Sequence, residues 1–177
     1  QQEGIVEHYK AIAKESPLPI LIYNVGSRTA VNIEAQTTLQ IAKEIPKVIG
    51  IKEASGDVTQ IMNIMHDKPQ DFLVISGDDA LTFPLMACGL NGVISVIANA
   101  FANEFSSMVR LALSGDFEKA RSIHYQLLPR IKACFKEGNP SGVKAFLEAQ
   151  GKVESHVRLP LMPASQNLKK EIKSLIS

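Results

Sequence analysis

Apolar residues follow two patterns along the first hundred residues. Short continuous apolar runs, typical of strands buried on both faces of a sheet, occur at residues 18–24, 48–52, 72–76 and 92–96. Apolar residues at helical spacing occupy the stretches between them, at residues 4–15, 35–45, 56–65 and 77–86. Strands and helices therefore alternate, which predicts a parallel sheet with right-handed crossover connections.

The pattern changes to helices alone after residue 102. The predicted helices cover residues 105–114, 117–135, 141–150 and 166–176, and Pro129 lies inside the longest of them, where it predicts a kink. We therefore expect an α/β part at residues 1–115 and a helical domain at residues 116–177.

Four parallel strands with their helices amount to half of a (β/α)₈ barrel, a fold that typically needs about 250 residues. As an isolated sheet, residues 18–24 and 92–96 would each leave an unpaired apolar edge. A doubly wound sheet can use four strands, but it carries a phosphate or nucleotide signature at a strand end, which this sequence lacks. On the pattern alone, half of a barrel and a doubly wound sheet without this signature both stay open.

Composition and charge narrow the function classes. The chain has 177 residues, of which 45% are hydrophobic and 21% charged, as in soluble globular proteins. A formal net charge of +1 offers no broad basic surface, so neither nucleic acid nor membrane is expected as a partner. Cys88 and Cys134 stand far apart, which disfavours a disulfide framework and fits a reducing cytoplasm.

Candidate functional residues stand where the predicted strands end, at the catalytic edge of parallel α/β folds. Tyr23 ends the first predicted strand, Lys52 ends the second, Gly77 follows the third, and Ile94 and Ser95 close the fourth. Because neighbouring strands are about 5 Å apart, Tyr23 and Lys52 are expected to reach one bound substrate.

Each polar candidate has two interpretations. Lys52 rises out of an apolar strand, and poor solvation there favours a neutral amine that can attack a carbonyl; a strand-end lysine can also simply extend to water. Tyr23 can shuttle a proton or be an ordinary buried tyrosine with a hydrogen-bond partner. Arg28 can bind a carboxylate with two hydrogen bonds or remain solvated.

Metal binding is not predicted. Asp78 and Asp79 could form a paired-carboxylate site, but their place directly before a helix favours a capping role. The four histidines are scattered without ligand spacing.

Several motifs occur together and in order. They are Tyr23-Asn24-Val25 with Arg28-Thr29, Gly50-Ile51-Lys52-Glu53-Ala54-Ser55-Gly56, Ser76-Gly77-Asp78-Asp79 and Gly92-Val93-Ile94-Ser95-Val96. Further matches lie at residues 2–4, 137–140, 143–144 and 158–160, so the similarity extends over essentially the whole chain. In this combination the sequence resembles the dihydrodipicolinate synthase family of class I pyruvate aldolases, which includes N-acetylneuraminate lyase.

The resemblance implies a lyase that condenses pyruvate with aspartate semialdehyde to 4-hydroxy-tetrahydrodipicolinate, a step of lysine and diaminopimelate biosynthesis. Lys52 matches the Schiff-base lysine, and Tyr23 matches the tyrosine that passes protons. Arg28 matches the arginine that holds the semialdehyde carboxylate. Ile94 matches the position whose backbone contacts pyruvate, and Gly77 lines the same pocket. No cofactor is implied, because the covalent imine at Lys52 carries the chemistry.

The resemblance also implies an architecture. The chain would supply strands 5–8 of a (β/α)₈ barrel and a C-terminal helical domain, the C-terminal portion of the family's fold. The first four strands, with the loop that binds the pyruvate carboxylate, are expected before Gln1. The family commonly forms a homotetramer of two tight dimers in the bacterial cytoplasm or the plastid.

Two local departures bear on substrate choice. Gly26 stands where the family usually has proline, and Ala30 stands where a glycine is typical. Proline fixes φ and glycine frees it, so Gly26 is expected to loosen the loop that aims Arg28. These departures leave open a pyruvate-dependent aldolase acting on sialic acids or ketodeoxy sugar acids. A catalytically incompetent fragment also stays open, because the loop that binds the pyruvate carboxylate is expected outside this sequence.

Overall fold

The computed structural model describes residues 1–176 of the chain. The chain groups into two compact units, divided between Ile94 and Ser95. The predicted domain boundary at residue 115 follows the change in sequence pattern rather than compactness, and it stays a prediction.

The first unit alternates strands and helices, as the apolar pattern predicts. Its strands are β1 (Ile20–Asn24), β2 (Val48–Glu53), β3 (Leu73–Ser76) and β4 (Gly92–Val93). Its helices are α1 (Gln2–Glu15), α2 (Gly26–Thr29), α3 (Ala35–Glu44), α4 (Val58–Asp67) and α5 (Thr82–Met86). The strands form one parallel sheet in the order β1-β2-β3-β4, which confirms the predicted α/β class with a parallel sheet.

The core of this unit lies on the face of the sheet that α3 and α4 cover. Ile22, Ile51 and Val74 occupy equivalent positions on β1, β2 and β3 and are fully buried there. Ile41 of α3 and Ile64 of α4 are buried as well. Alternate residues of each strand point to opposite faces, so the other strand positions face away from these helices.

Three elements differ from their predictions. β4 has two paired residues rather than five, because β3, its neighbour in the sheet, ends at Ser76, the partner of Val93. Residues 26–29, expected to belong to the loop that aims Arg28, form the single helical turn α2. The helix expected from residue 77 begins at Thr82, since Asp78 Oδ1 accepts the backbone N–H groups of Ala80 and Leu81 and forms a separate turn.

The second unit is helical. A 3₁₀ turn (Ile97–Asn99) precedes α6 (Ala102–Leu113), α7 (Phe117–Phe135), α8 (Ser141–Ala149) and α9 (Gln166–Ile176). α7 continues through Pro129 and packs against the other three helices. Gly142 lets the backbone of α8 approach that of α7, because a Cβ at Gly142 would collide with the carbonyl of Cys134 in α7. Within residues 1–176, none of the helices is both long and apolar enough to cross a membrane.

Candidate active site

Tyr23 and Lys52 lie side by side at the carboxyl ends of β1 and β2. The two residues are direct partners in the strand register. Lys52 Nζ lies 4.0 Å from the centroid of the Tyr23 ring, a cation–π contact. Tyr23 is 42% exposed and Lys52 is half-buried, so both groups are accessible from the face of the sheet that α3 and α4 leave open. The predicted proximity of these two side chains is confirmed.

Gly77 makes room for the lysine side chain. Its N–H donates to the carbonyl oxygen of Glu53 at 2.7 Å, which brings the chain after β3 against the end of β2. A Cβ at Gly77 would lie 3.1 Å from Lys52 Cε and 2.7 Å from Ala54 Cβ. Any side chain at this position would therefore displace Lys52 or its neighbour.

Ile94 follows the last paired residue of β4. Its backbone N–H donates to the carbonyl oxygen of Ser76 at 3.0 Å, so the backbone at Ile94 is held next to Gly77. The side chain of Ile94 is exposed. The structure thus gathers Tyr23, Lys52, Gly77 and the backbone of Ile94 at one edge of the sheet.

Arg28 stands on α2, the exposed turn after β1. Its backbone N–H donates to Val25 at 2.8 Å, and its guanidinium has no hydrogen bond or ion pair within the described part of the chain. Ala30, which ends α2, has a φ of 57°, a left-handed conformation that glycine adopts without strain. The Cβ of Ala30 therefore places strain in the loop that carries Arg28.

Asp78 Oδ1 accepts backbone N–H groups in the turn before α5, as expected for a capping carboxylate. The capped element is this turn and not the helix α5 itself. Asp79 is buried. Among residues 1–176, no group of three or more His, Cys, Asp or Glu side chains is arranged to hold a metal ion.

A buried polar cluster behind the pair was missed by the sequence analysis. Glu53 accepts hydrogen bonds from the side-chain amides of Asn24 and Gln60, at distances of 3.0 to 3.1 Å. Asn24 and Glu53 directly follow Tyr23 and Lys52 in the sequence, so strand alternation turns them to the opposite, covered face. The available signal was the presence of two polar residues at strand positions that should be apolar.

Tyr9 of α1 was also missed. Burial raises the pKa of its phenol above the ordinary value, while a hydrogen bond with the backbone of Tyr23 opposes that shift. Tyr9 therefore reaches β1 at the residue that faces Lys52. Tyr9 lies in the predicted helix at residues 4–15, and its helical spacing gives no sign of this contact.

The arrangement can carry out amine chemistry on a carbonyl compound. An amine stands next to a phenol, both are open to solvent, and a glycine leaves space for the lysine side chain. A lysine amine can form an imine with a ketone, and a neighbouring phenol can transfer the protons that this reaction requires.

Comparison with known proteins identifies the family of the chain. The model of the Dihydrodipicolinate synthetase family matches residues 1–177. A protein of Parabacteroides distasonis named 4-hydroxy-tetrahydrodipicolinate synthase is 56% identical over 162 residues, which are 92% of this chain and 54% of the relative. The protein of the same name from Phocaeicola vulgatus is 49% identical over 176 residues, 99% of this chain and 59% of the relative.

A solved structure has the same fold. The dihydrodipicolinate synthase of Thermotoga maritima superposes with a TM-score of 0.96 at 40% identity, covering 99% of this chain and 61% of the solved one. The chain thus spans between 54% and 61% of the length of these relatives. That it corresponds to their C-terminal portion stays a prediction. The family itself is shown by the match over the full sequence: the chain belongs to the dihydrodipicolinate synthetase family.

Proposed function

We propose that the protein is a Schiff-base-forming lyase that condenses pyruvate with aspartate semialdehyde to 4-hydroxy-tetrahydrodipicolinate, in lysine and diaminopimelate biosynthesis. The observation that carries the proposal is the contact between Lys52 Nζ and the Tyr23 ring at neighbouring strand ends, in a chain of this family. The names of its curated relatives support the same reaction.

The proposed reaction starts with the neutral amine of Lys52. The amine adds to the keto carbon of pyruvate, and loss of water gives an imine. Loss of a proton from the pyruvate methyl group turns the imine into an enamine, whose carbon adds to the aldehyde carbon of aspartate semialdehyde. Attack of the semialdehyde's amino group on the imine carbon then closes the ring and releases Lys52 as a free amine. Tyr23 passes protons during imine formation and ring closure.

Substrate binding is proposed at the loops beside this pair. Arg28 would bind the semialdehyde carboxylate, because an exposed guanidinium can donate two parallel hydrogen bonds to a carboxylate. The backbone at Ile94 would contact pyruvate, and the absence of a side chain at Gly77 would leave space for it next to Lys52. No cofactor takes part in this scheme, since the imine serves as the electron sink.

The sheet is proposed to form one half of a (β/α)₈ barrel, with its open face toward the barrel interior. Leu21, Leu73 and Ile75 lie on that face and are only half-buried in the sheet alone. Closing the barrel would bury them and pair the free edges of β1 and β4. We also propose a cytoplasmic homotetramer built as a dimer of dimers.

Borohydride trapping tests the central step. The intact protein is incubated with pyruvate and reduced with borohydride. Mass spectrometry with peptide mapping then locates the added mass. We expect a stable adduct on Lys52 because reduction converts the imine into a secondary amine. Lys52→Ala should abolish the adduct, whereas Lys43→Ala, which removes an exposed lysine of α3, should leave it unchanged.

Absence of the adduct in the wild-type protein would contradict the proposal. Turnover with aspartate semialdehyde as second substrate tests the aldehyde. Preference for a sugar aldehyde would instead indicate the aldolase alternative, which acts on sialic acids or ketodeoxy sugar acids. An adduct without turnover on any aldehyde would indicate a catalytically incompetent fragment.

A further inference from the structure

Glu53 is a buried carboxylate for which the imine chemistry has no use. It is only 1% exposed, as is Asn24. Asn24 Nδ2 lies 3.1 and 3.0 Å from the two carboxylate oxygens, Gln60 Nε2 lies 3.1 Å from Oε2, and the backbone N–H of Ser55 donates to Oε1 at 2.7 Å. These donors come from β1, from α4 and from the loop after β2.

Such a group is costly to bury unless its oxygens are hydrogen-bonded. Here both oxygens accept hydrogen bonds from amide groups, so the carboxylate favours one arrangement of the elements that supply them. A network in which every member is satisfied is rigid, because loosening any one donor leaves the charge partly unpaired. Glu53 therefore ties the end of β2 to β1 and α4 in a single geometry.

This network lies one residue beyond the proposed catalytic pair on both strands. Tyr23 pairs with Lys52 in the register, and Asn24 pairs with Glu53. The side-chain bond between Asn24 and Glu53 thus fixes how far β1 and β2 slide relative to each other, on the covered face. On the open face, the same register sets the distance between the phenol and the amine.

The network also fixes the loop that carries Arg28. Asn24 precedes this loop, and its side chain accepts from Ile33 N at 3.0 Å and donates toward Ile33 O at 3.3 Å. Gln60 Nε2 lies 3.2 Å from the same carbonyl oxygen, and Gln60 Oε1 accepts from Asn32 Nδ2 at 2.8 Å. Both ends of the loop are therefore fastened to the side chains that bind the carboxylate.

We infer that Glu53, through Asn24 and Gln60, is a positioning residue that sets the Tyr23–Lys52 geometry and the placement of the Arg28 loop. The inference rests on the proposed function, because it assigns Glu53 to the support of that reaction. Reacting groups must be held within about 0.5 Å of the productive geometry. A misplacement of about 1 Å can slow a reaction by about a hundredfold.

Glu53→Gln tests this inference with little change in shape. The variant amide keeps one acceptor oxygen but turns an N–H group toward donors of Asn24, Gln60 or Ser55, so the network cannot be satisfied. We expect imine formation with saturating pyruvate to slow by about 10- to 100-fold. The rate is measured by quenching the reaction rapidly with borohydride and determining the intact mass of the protein. The KM for the aldehyde substrate should rise as well, because the Arg28 loop loses its attachment.

Ile64→Val is the matched control. Ile64 is fully buried in α4, the helix that also carries Gln60, and its truncation lowers stability without touching a polar group. Its rate of imine formation should stay within about twofold of wild type even where its melting temperature falls. Gln60→Leu provides a milder variant, which leaves the carboxylate and Asn24 in place, in case Glu53→Gln does not fold.

The outcomes separate the two proposals. If the wild type forms no adduct with pyruvate, the proposed function fails, and the positioning role fails with it. If the wild type forms the adduct and Glu53→Gln, or Gln60→Leu in its place, reacts as fast as Ile64→Val, the proposed function stands and the positioning role is wrong. If imine formation is slower in Glu53→Gln or Gln60→Leu than in Ile64→Val at equal thermal stability, the inference is supported.

Discussion

The two faces of the sheet differ sharply where β1 and β2 end. On the covered face, Ile51 is fully buried and Glu53 accepts several hydrogen bonds. On the open face, Tyr23 is exposed and Lys52 is half-buried, and their side chains contact each other. Residues that follow one another in the sequence therefore lie in opposite environments.

This difference indicates that neighbouring residues on the two faces have different roles. The covered face holds the strands in one register through apolar burial and hydrogen bonds, and the open face presents reactive groups with few contacts of their own. A reactive group with few contacts contributes little to stability, so its position depends on the residues behind it. Substitutions on the two faces should therefore have separable effects.

The largest expected contrast is between the neighbours Ile51 and Lys52. Ile51→Ala should lower the free energy of unfolding by about 2 to 5 kcal/mol, because it removes buried methyl groups and leaves a cavity. Lys52→Met should change it by no more than about 0.5 kcal/mol, as expected for a site with few contacts, yet it should abolish the pyruvate adduct. Urea unfolding and borohydride trapping measure the two effects. Equal destabilisation by both variants would contradict the division between the faces.

The sequence predicts the first unit well because its strands are apolar on both faces, including Leu21, Leu73 and Ile75 on the open face. The apolar runs at residues 18–24 and 48–52 are recognisable from the pattern along the sequence, and the order of the runs predicts the sheet. The proximity of Tyr23 and Lys52 followed from the parallel arrangement, since parallel strands end at the same edge.

The remaining features depend on tertiary contacts, which a local pattern does not contain. The end of β4 is set by its pairing with Ser76, and the start of α5 by the side chain of Asp78. On α4, Val58 and Met62 are exposed, whereas Ile61 and Ile64 supply the buried side, and the apolar spacing at residues 56–65 does not distinguish between them. The Glu53 network could not be derived, because its members lie up to 36 residues apart in the chain, the separation of Asn24 and Gln60.

Gly77→Ala tests how closely the open face is packed. The new Cβ would lie 2.7 Å from Ala54 Cβ and 3.1 Å from Lys52 Cε, so the neighbours must move. We expect a loss of about 1 to 3 kcal/mol in unfolding free energy and slower imine formation, because the lysine side chain is displaced. Gly56→Ala is not a suitable control, because Gly56 has a positive φ. Gly4→Ala in α1 is suitable, since the added Cβ would meet nothing beyond its chain neighbours and its own helix backbone within 4 Å, and it should leave the rate of imine formation unchanged.

Ala30→Gly should have a smaller effect, in the opposite direction. Ala30 has a φ of 57°, where an L-residue with a Cβ is strained and glycine is not. We expect the variant to raise the free energy of unfolding by about 1 kcal/mol in urea unfolding, because relief of strain in the folded state exceeds the added entropy of the unfolded chain. A loss of stability would show that the loop carries no strain at this residue.

Tyr9→Phe tests an effect of similar size that depends on pH, at the edge of β1. Burial raises the pKa of the Tyr9 phenol above its ordinary value of 10.0, so the folded protein keeps this proton where the unfolded chain loses it. The folded state then binds more protons, and the free energy of unfolding falls as the pH rises above that value. At pH 8 the variant should be less stable by about 1 kcal/mol, because it lacks the hydrogen bond with the backbone of Tyr23.

The gap between wild type and Tyr9→Phe should narrow above about pH 10, since the contribution of the neutral phenol is lost there. Urea unfolding of both proteins at pH 8 and at pH 10.5 measures this difference in unfolding free energy. Tyr125→Phe, which removes an exposed phenol of α7, serves as the control and should show no comparable gap. A gap for Tyr9→Phe that stays constant across this range would mean that the Tyr9 hydroxyl does not titrate differently in the folded chain. The hydrogen bond to Tyr23 would then support β1 without making its stability sensitive to pH.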